Sequence, residues 1–167
     1  IDHVSPDFSN VPSKEWSMQR NDYFHMNAVR ILRDGNYLAS ARHTQTIMKI
    51  DKTTGKILWH MGKGKLNDFS FIDDPYNGFS HQHAPEELDN GNLLIWDNGI
   101  NSIKNASRVC EYKVNENDFT ATLVWSKVFT NLQANVAGNC MQINEEKFIA
   151  AFGSQGYIEE FMKDGSK

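Results

Sequence analysis

Asp34-Gly35-Asn36-Tyr37-Leu38 recurs as Asn90-Gly91-Asn92-Leu93-Leu94, fifty-six positions on. A degenerate third copy, Glu145-Glu146-Lys147-Phe148-Ile149, follows fifty-five positions beyond that. Each copy is preceded by a run that reads as one strand, at residues 25–32, 81–88 and 136–143. Self-similarity at this period marks a propeller, a solenoid or an array. The register aligns His25 with His81 and Asn27 with His83. Two histidine-bearing strands are therefore expected side by side at one depth.

Working outward from the turns, each repeat divides into short strands. The first copy reads as strands at 24–32, 37–42, 46–51 and 56–60. The second reads as 80–88, 93–97, 108–114 and 120–125, and the third as 136–143, 148–152 and 157–162. Gly35 and Gly55 stand where hairpin turns need a positive φ. No segment carries a helical stripe, so helix should be nearly absent. Four strands per repeat at this period fit the blades of a β-propeller. The expectation is one all-β domain over 1–167: a β-propeller of about three four-stranded blades, with repeats at 22–61, 79–126 and 136–167. Residues 62–78, rich in Gly, Asp and Asn, read as a loop at a propeller end. Trp59 and Trp125 close the fourth strands and suit packing between blades, with Trp16 at a related position. Three blades do not close a ring, since propellers typically have four to eight. The remaining blades are expected from a longer parent chain or from another chain.

The bulk numbers exclude several partners. A chain of 167 residues with 40% hydrophobic content can bury one core. A net charge of −4 leaves no basic footprint for nucleic acid. No apolar run is long enough to span a membrane, and residues 1–4 do not open a secretory signal. Cys110 and Cys140 fall in different repeats without a spacing signature, which leaves both a disulfide and two small buried hydrophobes open. Asp68, Asp73 and Asp74 read as a solvated acidic loop without a calcium signature.

The set Asp22-Tyr23-Phe24-His25-Met26-Asn27, Ser40-Ala41-Arg42-His43-Thr44, Gln82-His83-Ala84, Asp97-Asn98-Gly99 and Gly153-Ser154-Gln155 runs in order along nearly the whole chain. In these stretches the sequence resembles the arylsulfotransferase-like family. The resemblance implies a six-bladed propeller with its site at the central channel, of which this chain would be part. It implies sulfuryl transfer from an aryl sulfate to a phenolic acceptor through a transiently sulfated histidine, with no nucleotide donor and no cofactor. By motif, His25 and His83 match channel histidines that contact the sulfuryl group and are the candidate catalytic residues. Asn27, His81 and Arg42 are the candidate substrate-binding residues. A departing sulfate ester needs cationic or hydrogen-bonding groups around its charge, and imidazole donates and titrates near neutral pH. The family's exported members imply an extracellular or periplasmic setting.

Two departures stand against that activity. The family's catalytic arginine follows the Asp-Asn-Gly motif shortly, and here Ser102 aligns with it. Lys104 is nearby, but a point charge does not replace a guanidinium fork. The family's nucleophilic histidine lies in a blade past the third copy, and Lys167 comes first. The 167 residues alone are therefore not expected to catalyse transfer. The alternative is a non-catalytic propeller that binds a ligand or a protein on its loop-rich face. Residue by residue, bland readings stand beside these. His25 and His83 also suit buried, hydrogen-bonded core histidines. Arg42 suits either an anionic ligand or a pair with Asp73 or Asp74, Arg108 suits a structural role, and Asp97-Asn98-Gly99 suits a tight turn. A metal set of His25, His81 and His83 is set aside because no carboxylate or cysteine spacing supports it, so no metal is expected.

Overall fold

The computed structural model describes residues 5–9 and 22–166; Trp16 and the Asp2-His3-Val4 stretch lie outside them. Among the described residues, twelve strands form three sheets in chain order, and helix is limited to short 3₁₀ turns such as Pro6–Phe8. The first sheet contains β1 (Met26–Ile31), β2 (Tyr37–Ala41), β3 (Thr46–Ile50) and β4 (Ile57–Gly62), paired antiparallel in that order. The second contains β5 (Ser70–Ile72), β6 (His83–Glu87), β7 (Leu93–Asp97), β8 (Ala106–Asn115) and β9 (Thr120–Thr130), in the order β5-β9-β8-β7-β6. The third contains β10 (Asn139–Gln142), β11 (Lys147–Ala151) and β12 (Ile158–Met162). The chain is all-β, with successive unclosed meanders in the layout of a partial β-propeller.

The repeated turn explains the repeated meander. Asp34 Oδ1 accepts from Asn36 N at 2.9 Å, and Asn90 Oδ1 accepts from Asn92 N at the same distance. Gly35 and Gly91 take φ of 85° and 82°, which a residue with a Cβ adopts only under strain. The third copy keeps the side-chain bond, Asn144 Oδ1 to Glu146 N at 3.1 Å, without a glycine. The change of spacing from fifty-six to fifty-five has a local cause. β1 and β6 each carry a register shift against their partners, between Met26 and Ala28 and between His83 and Glu86, whereas β10 pairs without one.

One stretch departs from the sequence expectation. Residues 62–78 are not all loop: β5 lies within them and pairs parallel with β9, so the second sheet has five strands instead of four. A three-residue parallel strand has no hairpin turn of its own, and so leaves no turn signal in the sequence.

Two apolar cores lie between the sheets. Trp59, Leu38 and Ile47 of the first sheet meet Leu93, Ile95 and Tyr112 of the second. Trp96, Val109 and Phe129 of the second meet Phe148, Ala150 and Phe161 of the third. Trp59 packs edge-on against Phe69 at 5.3 Å, and Trp125 lies 4.7 Å from Phe148. Both tryptophans thus fill space between successive sheets. β7 is buried along its whole length, which is why it reads as a continuous apolar run. Cys110 and Cys140 are free and buried.

A buried ion network locks the second sheet. Arg108 Nε donates to Asp97 Oδ2 at 2.8 Å, and its two terminal nitrogens donate to Asp74 at 2.9 and 3.0 Å. The side chains of Arg108, Asp74 and Asp97 are fully buried. Asp74 is therefore not the solvated loop residue expected. Burial raises its carboxyl, but the bond and charge of Arg108 carry it below the usual range, to about 2. Burial also pushes Asp97 up. Asp97 nevertheless accepts from Ser80 N and Gly99 N at 2.9 and 2.8 Å besides Arg108, donors that only the carboxylate satisfies in full.

Candidate functional site

Antiparallel pairing gathers the starts of β1 and β6 and the ends of β2 and β7 at one end of the sheets. Met26 faces Ala41, and His83 faces Trp96. His25, His81 and Ala137 open the three first strands with φ of 53°, 55° and 56°. The same left-handed conformation thus recurs just ahead of the first strand of each repeat. The register shifts in β1 and β6 fall beside Asn27 and His83. Bulges of this kind re-aim side chains next to functional sites. Asn27 Nδ2 donates to Gln82 O at 2.7 Å, joining the two strands. Fully buried Gln82 in turn donates to Ser40 Oγ, Ala41 O and Thr46 O at 3.0–3.1 Å.

Each imidazole at this end has its Nδ1 on an oxygen. His25 Nδ1 meets the Asp22 carboxylate, and His43 Nδ1 donates to Asp22 O at 2.6 Å. His81 Nδ1 lies 2.9 Å from Ser80 Oγ, whose own hydrogen goes to Ile100 O at 2.6 Å, so the imidazole is the donor. His83 Nδ1 donates to His81 O at 3.1 Å and to Asn98 Oδ1 at 2.8 Å. Asn98 is itself fixed, because its amide donates to Ala134 O and Ala137 O at 2.8 and 2.7 Å. In their neutral form His43, His81 and His83 therefore carry their lone pair on Nε2.

Burial and crowding set the charge. Burial pushes His81 down to about 3, helped by the charges of Arg42, His43 and His83. Burial also lowers His83, with Arg42 and His25 adding to the effect against the bond from Asn98. His43 is lowered by burial and by Arg42 and His25. These rings are neutral at neutral pH and share one electropositive neighbourhood around Arg42. An arriving anion offsets that repulsion and favours protonation of the Nε2 atoms. A neutral phenol instead meets Nε2 lone pairs able to accept its proton.

All five residues singled out from the sequence, His25, Asn27, Arg42, His81 and His83, thus lie at this end. Arg42 Nη2 donates to Asn135 O at 3.0 Å. Asp74, one of its two suggested acidic partners, is bound by Arg108 instead. The ligating atoms that gather within 4.8 Å of one another belong to Asp22, His25 and His43, not to His25, His81 and His83. Ser102 lies on the loop after β7, where Lys63 Nζ donates to its Oγ at 2.8 Å. Sequence reasoning assigned no role to Asp22 or His43 and took Asn98 only for a turn. Gly99 N does close on Asp97 Oδ1 at 2.8 Å, but Asn98 turns inward to hold His83. The repeat held a partial signal, since Arg42 and Asn98 are equivalent across fifty-six residues.

Comparison with known proteins gives a family and a fold. The family model described as arylsulfotransferase (ASST) matches residues 4–158. No curated protein matches the sequence. Among solved structures, a crystal structure of a protein of unknown function from Bacteroides caccae is similar at a TM-score of 0.54 and 15% identity. That similarity covers 86% of this chain and 44% of the other, so the chain spans less than half the length of that relative.

Proposed function

The chain belongs to the arylsulfotransferase (ASST) family, and from that premise we propose that the complete protein moves a sulfuryl group from an aryl sulfate to a phenolic acceptor through a histidine. In this reading the chain supplies His25 and His83 as the groups that face the sulfuryl centre, with Arg42, His81 and Asn27 around them. The observation that carries it is the convergence of four Nδ1-anchored imidazoles and one guanidinium at a single end of the first strands.

The chemistry follows from the ring states. A neutral His83, oriented by Asn98, accepts the proton of a phenolic acceptor as its oxygen attacks sulfur. A ring protonated while the anionic donor is bound returns a proton to the departing phenolate. Asp22 holds His25 as a carboxylate orients a catalytic imidazole, fixing the ring. Arg42 supplies fixed positive charge for the sulfuryl oxygens. The histidine that carries the group, the further blades of a six-bladed ring and an exported location remain parts of the proposal that rest on family likeness.

A second reading, a non-catalytic propeller that binds its ligand, is favoured by Ser102 at the place of the family's arginine. Full-length protein given an aryl sulfate and a phenol separates the two. Transfer that falls at least about 100-fold in His25→Ala and His83→Ala supports the enzyme. Tight binding without transfer supports the binding module, and transfer unchanged in both variants overturns the placing of the site.

A further inference from the structure

Beyond sulfuryl transfer, we infer that Asp22, His25 and His43 form a binding site for a divalent first-row transition metal, with zinc the best fit. Their ligating atoms lie within 4.8 Å of one another, close enough for side-chain rotation to bring them to the roughly 2.0–2.2 Å bonds of a zinc centre. Two imidazoles and a carboxylate are a borderline donor set that suits zinc, and not the all-oxygen set of calcium or magnesium.

Three further observations build the site. His43 Nδ1 donates to the backbone carbonyl of Asp22 at 2.6 Å. That bond fixes the tautomer with its lone pair on Nε2, the outer contact that metal-bound histidines habitually make. The segment carrying Asp22 and His25 is also pinned to the end of β2, because Arg42 N donates to His25 O at 2.9 Å and His43 N to Phe24 O at 3.2 Å. The ligands are thus held together before any cation arrives. Burial grades the site from a buried His43 to a half-buried His25 and Asp22, which gives an anchor and an entrance.

Entry of the cation displaces the hydrogen between His25 Nδ1 and the Asp22 carboxylate, and the metal-bound neutral ring takes its hydrogen on Nε2 instead by exchange with solvent. The metal then bonds His25 Nδ1, Asp22 Oδ2 and His43 Nε2, with a water on the open fourth position. His25 Nε2 then carries the ring's hydrogen, so the metal site does not require sulfuryl transfer.

The test is calorimetric titration of Zn²⁺ into untagged, chelator-stripped protein, with Co²⁺ as a spectroscopic probe. One Zn²⁺ per chain is expected. Asp22→Asn and His43→Gln should each weaken it by more than the roughly 10- to 100-fold that losing an outer contact costs. Both should also abolish the Co²⁺ d–d bands. His60→Ala, which removes a separate histidine beside Asp68, should change neither. Because His43 is buried, His25→Ala on the half-exposed rim serves as the variant that keeps the fold, checked by circular dichroism. Absence of Zn²⁺ binding, or binding that survives Asp22→Asn and His25→Ala, overturns the assignment. Transfer activity, assayed separately on stripped protein, bears only on the sulfuryl reading.

Discussion

Replacing Arg108 with Met removes the cation that bridges two fully buried carboxylates. The guanidinium makes five bonds between 2.8 and 3.1 Å, to Asp97, to both oxygens of Asp74, to Gly78 O and to Tyr112 Oη. For Asp74 alone, the drop from 3.8 to about 2 corresponds to about 2 kcal/mol of coupling. Because its folded value lies below the unfolded one, that stability is present above pH 3.8 and lost as pH falls toward 2. Breaking a buried pair by removing one partner costs about 3–5 kcal/mol. Arg108→Met should therefore cost about 3–5 kcal/mol, a large share of the roughly 5–15 kcal/mol that holds a domain folded. Urea unfolding measures it, as a shift of midpoint at constant slope. Adding Asp74→Asn and Asp97→Asn to Arg108→Met should recover more than about 2 kcal/mol, since no uncompensated charge then remains. A cost below about 1 kcal/mol, or no recovery in the triple variant, would mean that the two carboxylates do not depend on Arg108 for their burial.

Other outcomes follow from the same geometry. His81 sits near 3 in the folded chain against 6.5 unfolded, so the unfolded state binds more protons below pH 6.5. Stability should fall by roughly 3 kcal/mol on acidification to about pH 4.5, and His81→Gln should flatten that slope. Binding of an aryl sulfate near pH 7 should take up protons, because an anion offsets the burial and the neighbouring positive charge that lower His83; calorimetry in buffers of different ionisation heat detects it, and a proton-neutral reaction would count against the site. Gly138→Ala places a Cβ 2.0 Å from Trp96 Nε1 at a φ of 127°, and should cost at least about 1–3 kcal/mol; an unchanged melting temperature would contradict that packing.

The all-β fold was legible because its signals are local. Asx-turns with glycine and strands of alternating or continuous apolar residues lie within a few positions of each other. β5 escaped because its partner, β9, is some fifty residues away and a parallel edge strand needs no turn beside it. At the site, the repeat register found His25, Asn27, His81 and His83, which sit on equivalent strand starts. Asp22, His43 and Asn98 carry their roles through bonds that no periodicity encodes. Asn98 reads as a turn residue until Ala134 O and Ala137 O are seen to turn its amide inward. Asp74 reads as surface until Arg108 claims it.

The proposed transfer places the sulfuryl group against His25 and His83. Histidine side-chain ¹H–¹⁵N spectra of the full-length protein, titrated with a non-transferable aryl sulfate analogue, test it most directly. The Nε2 resonances of His25 and His83 should shift together on binding, while those of His60, in its separate pair with Asp68, stay fixed. Saturable binding that leaves His25 and His83 unmoved would contradict it.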